Sequence, residues 1–208
     1  MRVTYVLIPA LIAVAIAAMT PRRADSRGNL CRSCPVPGVD SQATQSLGTA
    51  KSAGPCATRS AANGYPLPDP SCTPGAFNPT VPAKIFGARQ FTTRCVRDCL
   101  TDPGQKKAVY ALYGASWNPS CELDHLVPLE MGGADSLNNI WPQCGQAPSG
   151  KNYKDIKDVV ETYLAIQVLM GMNVDAARNG IASDWTQYIA NSQKFCAANS
   201  CDISHYRK

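Results

Sequence analysis

Ten cysteines constrain the fold of this 208-residue chain more than any other feature of its sequence. All lie beyond residue 30, and their number is even. In an exported chain such a set predicts disulfide bonds, here at most five, and a loop-rich, cross-linked fold. Cys31 and Cys34 could instead begin a zinc site. However, the sequence has only two histidines and no second C-x-x-C pair to complete four ligands. The ten are Cys31, Cys34, Cys56, Cys72, Cys95, Cys99, Cys121, Cys144, Cys196 and Cys201.

The N-terminus indicates export. Met1-Arg2 is followed by an apolar run over residues 3–19, and Ala15-Ile16-Ala17 has the small-x-small form that precedes signal cleavage. The alternative is a retained membrane anchor, but the run is at the short limit for a span and contains Pro9. We therefore expect a signal peptide over residues 1–24 and a secreted or periplasmic protein. No stable membrane association is expected after cleavage.

Two further regions follow the signal peptide. Residues 25–85 are rich in Cys, Pro and Ser and keep no amphipathic period, which predicts a loop-rich extension that is cross-linked or partly disordered. Residues 86–208 carry regular patterns and form the predicted domain. We expect an α+β fold, with a ββα core, flanking helices and the disulfide-rich extension.

Local signals place the elements of this domain. A short strand is expected over 91–96, and Asp102-Pro103 begins a helix that Gly114 ends. A β-like run covers residues 121–130, and an extended segment covers 138–142. The apolar spacing then predicts a helix over 152–169 and another over about 182–196.

Asp124 and His125 stand side by side in the β-like run, and phosphodiester hydrolysis needs both residue types. An imidazole has a pKa near neutrality and can accept a proton from the attacking water. A carboxylate can hold a cation beside the phosphate. Adjacent side chains of a regular strand point to opposite faces. The pair must therefore lie at a strand end or bend if both are to reach one phosphate.

The surrounding residues resemble the HNH endonuclease family. After Asp124-His125 come Pro128, Gly132-Gly133 and Asn139, the last fourteen residues beyond the histidine. The Ile-Trp-Pro that follows Asn139 is similar to the variant found in small exported members. The resemblance covers residues 91–170 and implies a ββα-metal core.

The resemblance also implies a role for each residue. His125 would be the general base, and Asp124 would be a metal ligand. Asn139 would bond to backbone across the loop and hold His125 in orientation. A residue at the start of the following helix would complete the metal site. Asn152 is the best match for it and Asp155 the second, because the gap after Asn139 is longer than usual.

The implied partners are a divalent cation and a nucleic acid. Oxygen ligands suit magnesium, or manganese, better than zinc. The substrate would be DNA or RNA, although a net charge of +5 only permits such binding. Lys151, Lys154 and Lys157 either contact phosphates or form a solvated helix face. The oligomeric state is left open.

Two other functions compete with this prediction. A catalytically inactive, disulfide-stapled HNH-like module would need the glycines and the proline but not the intact polar residues. A hydrolase with Cys121 or Ser120 as nucleophile lacks a family signature, and a disulfide-bonded cysteine cannot attack. We expect Cys121 to pair with Cys144, Trp141 to be a core residue, and His205 to have no catalytic role.

Overall fold

The computed structural model describes residues 55–77, 93, 103–134 and 136–207. The described part of the chain is an α+β structure with two small antiparallel sheets and four α-helices. Its strands are β1 (Arg59–Ser60), β2 (Pro66–Leu67), β3 (Cys121–His125) and β4 (Ile140–Cys144). Its helices are α1 (Pro103–Leu112), α2 (Tyr153–Leu169), α3 (Val174–Asp184) and α4 (Ile189–Ala198). Short 3-10 turns occupy Leu129–Met131, Trp185–Tyr188 and Ile203–His205.

The β3–β4 pair is the frame of the molecule. The two strands are antiparallel, with Cys121 opposite Cys144 at one end and His125 opposite Ile140 at the other. Helix α2 packs against both strands. Directly opposite residues of an antiparallel pair share a face, so Asp124 and Trp141 lie together on the face that α2 covers.

Helix α2 begins at Tyr153, one residue after the predicted start. Its buried side chains include Ile156, Val160 and Leu164, which recur every four residues and form one apolar stripe. This stripe and Trp141 belong to the main hydrophobic core. The core therefore fixes how α2 is rotated against the β3–β4 pair, and with it the direction of the polar residues of α2.

The described part of the predicted extension belongs to the same core. Leu67 is buried there, and the indole of Trp185 donates a hydrogen bond to the carbonyl of Pro66 at 2.9 Å. The amide of Ala134 donates to the carbonyl of Ala76 at 2.9 Å. The predicted boundary near residue 85 lies outside the described residues. Nevertheless, residues 55–77 pack as part of one structure with the domain that follows, although they remain loop-rich as expected.

The last predicted helix is interrupted. The sequence pattern suggests one helix over 182–196, but α3 ends at Asp184 and α4 starts at Ile189. Asp184 has an extended backbone, and its side chain accepts hydrogen bonds from the amide and hydroxyl of Thr186. Such local bonds compete with the helical ladder. Asn173 caps α3 in the same manner, with its side chain accepting from the amide of Ala176.

The first helix matches its prediction. Helix α1 starts at Pro103, and Gly114 just beyond its end has a φ of +59°. The predicted strand over 91–96 lies outside the described residues except for Thr93, as does the predicted signal peptide over 1–24. Within the described ranges, no helix is long and apolar enough to cross a bilayer.

Three disulfide bonds are present among the described cysteines: Cys56–Cys72, Cys121–Cys144 and Cys196–Cys201. The expected Cys121–Cys144 pairing is confirmed. It joins directly opposite residues of β3 and β4, at the end of the pair away from His125. The four remaining cysteines lie outside the described residues.

Candidate functional site

His125 is the last residue of β3, so the strand is shorter than the predicted β-like run over 121–130 and ends at the Asp124-His125 pair. The chain leaves the strand pair at Leu126 and turns at Pro128 into a short 3-10 turn. Asp124 and His125 both line one cleft of about 290 Å³ at this strand end. Asp124 is buried and His125 is half-buried.

Asn139 fastens the loop that follows His125. It is fully buried, and its side-chain oxygen accepts a hydrogen bond from the amide of Val127 at 2.8 Å. Its nitrogen donates to the carbonyls of Val127 and Ala134, both at 2.9 Å. These contacts with backbone across the loop are those that the orienting role of Asn139 requires.

The two glycines of the motif have separate structural reasons. Gly132 has a φ of +83°, a left-handed conformation that favours glycine. At Gly133 an added Cβ would lie 1.8 Å from the carbonyl oxygen of Val127. In this loop, the side chain of Asn139 and the backbone of Gly133 therefore both lie against the backbone of Val127.

The carboxylate of Asp124 is strongly engaged on one side. Its Oδ2 accepts a hydrogen bond from the indole Nε1 of Trp141 at 3.0 Å and lies 2.8 Å from Nζ of Lys157. Trp141 is fully buried, so its expected place in the core is confirmed. Asp124 is thus held in position by one residue of β4 and one of α2.

The position of Lys157 fits neither of its two predicted roles, a phosphate contact or part of a solvated helix face. Its side chain is fully buried, so it is not part of a solvated face and does not reach out to a phosphate. Its ammonium bonds to Asp124, to Glu161 and, at 2.9 Å, to the backbone carbonyl of His125. Burial lowers the pKa of Lys157, but the two carboxylates outweigh that effect and raise it above its usual value.

The cleft is acidic. Five carboxylates are among the described residues that line it: Glu122, Asp124, Glu130, Asp158 and Glu161. Burial, followed by the negative charges of Glu122 and Asp124, raises the pKa of Asp158 to about 6, with the nearby Lys157 opposing the shift. The cleft therefore carries more negative charge than the one buried ammonium balances.

The two predicted helix-start ligands lie elsewhere. Asn152 and Asp155 are not among the described residues that line the cleft. Instead, the side chain of Asn152 donates to Asp155 and accepts from Gln146, each at 3.2 Å. A helix rises about 1.5 Å per residue, so Asn152 starts roughly 9 Å before Asp158 along α2. The structure brings Asp124, His125 and Asp158 together, and leaves Asn152 at the first turn of the helix.

The cleft suits a hard cation in the kind of donors it offers. Carboxylate oxygens are the ligands that magnesium and manganese prefer. Within the described ranges, however, no three His, Cys, Asp or Glu side chains stand close enough together to hold an ion as they are placed. Magnesium commonly binds through one or two carboxylates and keeps several waters, so Asp124 with one further carboxylate of the cleft would be a sufficient set of protein ligands.

Asp158 and Glu161, the residues of α2 that line the cleft, were not predicted as site residues, and Lys157 was expected at the surface. Lys157 and Glu161 are four residues apart, the spacing of neighbours on one helix face, and this was a usable signal. What the spacing alone could not reveal is that Lys157 is buried and paired with Asp124. That depends on how α2 is rotated against β3.

The remaining candidates are accounted for by their contacts. Cys121 is disulfide-bonded and is thereby excluded as a nucleophile, and the hydroxyl of Ser120 donates to Asn118 at 2.6 Å. The side chain of His205 is 64% exposed, with its Nε2 4.0 Å from Asp202. It is not among the described residues lining the cleft.

Comparison with known proteins finds no relative: no protein-family model, no curated protein and no solved structure matches this chain.

Proposed function

We propose that this chain is a secreted, metal-dependent endonuclease of the HNH type that hydrolyses phosphodiester bonds in DNA, with RNA as a second substrate to test. One observation carries the proposal: His125 and Asp124 line the same cleft at the point where β3 ends. The order β3, β4, α2, with the helix packed on both strands, supports a ββα-metal core.

The acidity of the cleft favours a cation-dependent reaction. A phosphate group is anionic, and the carboxylates of Asp124, Glu122 and Asp158 would repel it. A divalent cation between them would reverse this repulsion. Asp124 is the proposed ligand, through its Oδ1 because Oδ2 is bonded to Lys157 and Trp141. Asp158 is the carboxylate of α2 that we propose beside it, in place of Asn152.

Each residue then has a defined task. His125 accepts the proton of the attacking water, for which an imidazole is suited near neutral pH. Asn139 keeps the loop after His125 closed through its bonds to Val127 and Ala134, so the imidazole stays at the cleft. When bound, the cation supplies charge neutralisation at the phosphate and the leaving oxygen.

Plasmid nicking by the full-length, oxidised protein tests this proposal. We expect cleavage with Mg²⁺ or Mn²⁺, none with EDTA, and a loss of at least about 100-fold in His125→Ala, the usual scale for removing a general base. His205→Ala is the matched control, since it removes the exposed histidine outside the cleft. It should cleave like the wild type.

The competing function is a cross-linked, inactive module. This alternative is supported if the folded wild-type protein leaves plasmid DNA, single-stranded DNA and RNA intact with Mg²⁺ and Mn²⁺. It also gains if His125→Ala and His205→Ala retain equal activity. Export is tested separately, by sequencing the N-terminus of the protein recovered from outside the producing cell, which should begin after about residue 24.

A further inference from the structure

The strongest unassigned feature is the buried ammonium of Lys157. An ammonium group has three N–H donors, and here they have three acceptors: Oδ2 of Asp124, Oε1 of Glu161 and the backbone carbonyl of His125. The lysine is fully buried, and Asp124 is 6% exposed. Burying charges is costly unless they are paired and hydrogen-bonded, which these contacts achieve.

The third of these contacts connects Lys157 to the reaction. Two carboxylates would be enough to pair a buried lysine, yet its Nζ also binds the carbonyl of His125 at 2.9 Å. That carbonyl belongs to the last residue of β3, where the chain leaves the strand pair. The contact therefore joins the end of the strand to α2 at a residue that lines the cleft.

From this we infer that Lys157 is a positioning residue for the proposed hydrolysis. It holds the backbone of His125, and the carboxylate of Asp124 beside it, at a fixed distance from helix α2. It acts through these two residues and does not touch the substrate. The inference rests on the proposed function for its effect on rate, but the geometric link between Lys157 and His125 can be tested without activity.

The first test uses the wild-type full chain and nuclear magnetic resonance. With the lysines labelled at Nζ and the histidines at the carbonyl carbon, a coupling across the hydrogen bond should join Lys157 to His125. The ammonium protons of Lys157 should also exchange slowly with solvent because the group is buried. A rapidly exchanging ammonium without the coupling would overturn the inference, whatever the protein does to DNA.

The second test compares variants by activity and by the imidazole signals of His125. Lys157→Met keeps the length of the stem and removes all three bonds. Because that leaves the buried Asp124 and the partly buried Glu161 without their cation, Lys157→Met/Glu161→Gln is made in parallel, which removes one of those charges. Lys154→Met is the control, since Lys154 lies one turn earlier on α2 and pairs with the more exposed Glu122.

In whichever Lys157 variant folds, kcat should fall by about 10- to 100-fold, the scale of a misplacement of about 1 Å, while KM stays within about twofold. The imidazole signals of His125 should move, and those of His205 should not. Unchanged kcat with unchanged His125 signals contradicts the inference. If the wild type lacks nuclease activity but the His125 signals still respond, the proposed function fails and the positioning role stands.

Discussion

Lys154 and Lys157 lie one turn apart on the same helix, and both face carboxylates of β3, yet their surroundings differ. Lys157 is fully buried and lies 2.8 Å from Asp124, which is 6% exposed. Lys154 is 26% exposed and lies 3.4 Å from Glu122, which is 38% exposed. We call Lys157 and Asp124 the inner pair, which is buried, and Lys154 and Glu122 the outer pair, which is partly exposed to solvent.

The two pairs differ in whether their charged groups are buried and fully hydrogen-bonded or are accessible to a ligand. In the inner pair, the ammonium is fully used by its three acceptors, and the pair keeps the end of β3 on α2. In the outer region, Glu122 and Asp158 face the cleft with only partial compensation from lysines. We therefore expect Lys157 to control stability and the position of Asp124, and Asp158 to contribute, with Asp124, to binding of a cation.

The largest expected effect on stability is at the inner pair. Lys157→Met should lower the free energy of unfolding by about 3–5 kcal/mol, because it leaves the buried Asp124 and the partly buried Glu161 without their cation. Urea denaturation of the oxidised protein at pH 7, followed by circular dichroism, measures this change. A loss below about 1 kcal/mol would mean that the inner pair is no more important than the outer one.

The next effect concerns the cation. Asp158→Asn should weaken Mn²⁺ binding by at least about tenfold, because a carboxylate facing the cleft is replaced by a neutral amide. Asn152→Ala is the matched change at the first turn of α2 and should alter affinity by less than about threefold. Titration followed by electron paramagnetic resonance of free Mn²⁺ gives both values. The reverse order would restore Asn152 as the ligand and remove Asp158.

A pH dependence follows from the same carboxyl group. The pKa of Asp158 is raised to about 6, so the group is protonated below that pH and ionised above it. Only the ionised form binds a metal, so affinity should rise with pH through about 6. Between pH 6 and pH 5 we expect a loss of about fivefold for the wild type, because the ionised fraction falls from about one half to about one eleventh. Asp158→Asn, measured by the same titration, should lack this step.

The smallest effect is expected at the outer pair. Lys154→Met should change the free energy of unfolding by less than about 1 kcal/mol, because both partners are accessible to water. The change should shrink further in 1 M NaCl, where screening is effective over about 3 Å. Thermal unfolding at low and high salt measures it. A large, salt-independent loss would show that the outer pair is as enclosed as the inner one.

Local sequence signals predicted much of the frame of the site. The glycine turn and helix α2 follow from short-range rules of turn chemistry and helical period. The predicted β-like run over 121–130 was too long, and the Cys121–Cys144 bond, although expected, is one of many pairings that ten cysteines allow. The failures were also local. The apolar spacing over 182–196 predicts one continuous helix, but the side chain of Asp184 accepts a hydrogen bond from Thr186 and α3 ends there.

Other features depended on contacts between distant segments. Nothing in residues 55–77 suggests that Leu67 joins the core or that Pro66 accepts a hydrogen bond from Trp185, since the partners are more than one hundred residues apart. The choice between Asn152 and Asp158 is of the same kind. The apolar stripe determines which face of α2 packs against the strands. As a result Asp158 lines the cleft, whereas Asn152, just before the helix, does not.

By itself, the sequence determined which residue types stand at the strand end, because an aspartate next to a histidine, a glycine turn and a following asparagine are all short-range features. Tertiary structure alone decided which charges are enclosed. A lysine on a helix is exposed unless another element covers it, and here β3 covers Lys157 while Lys154, one turn away, stays partly in water.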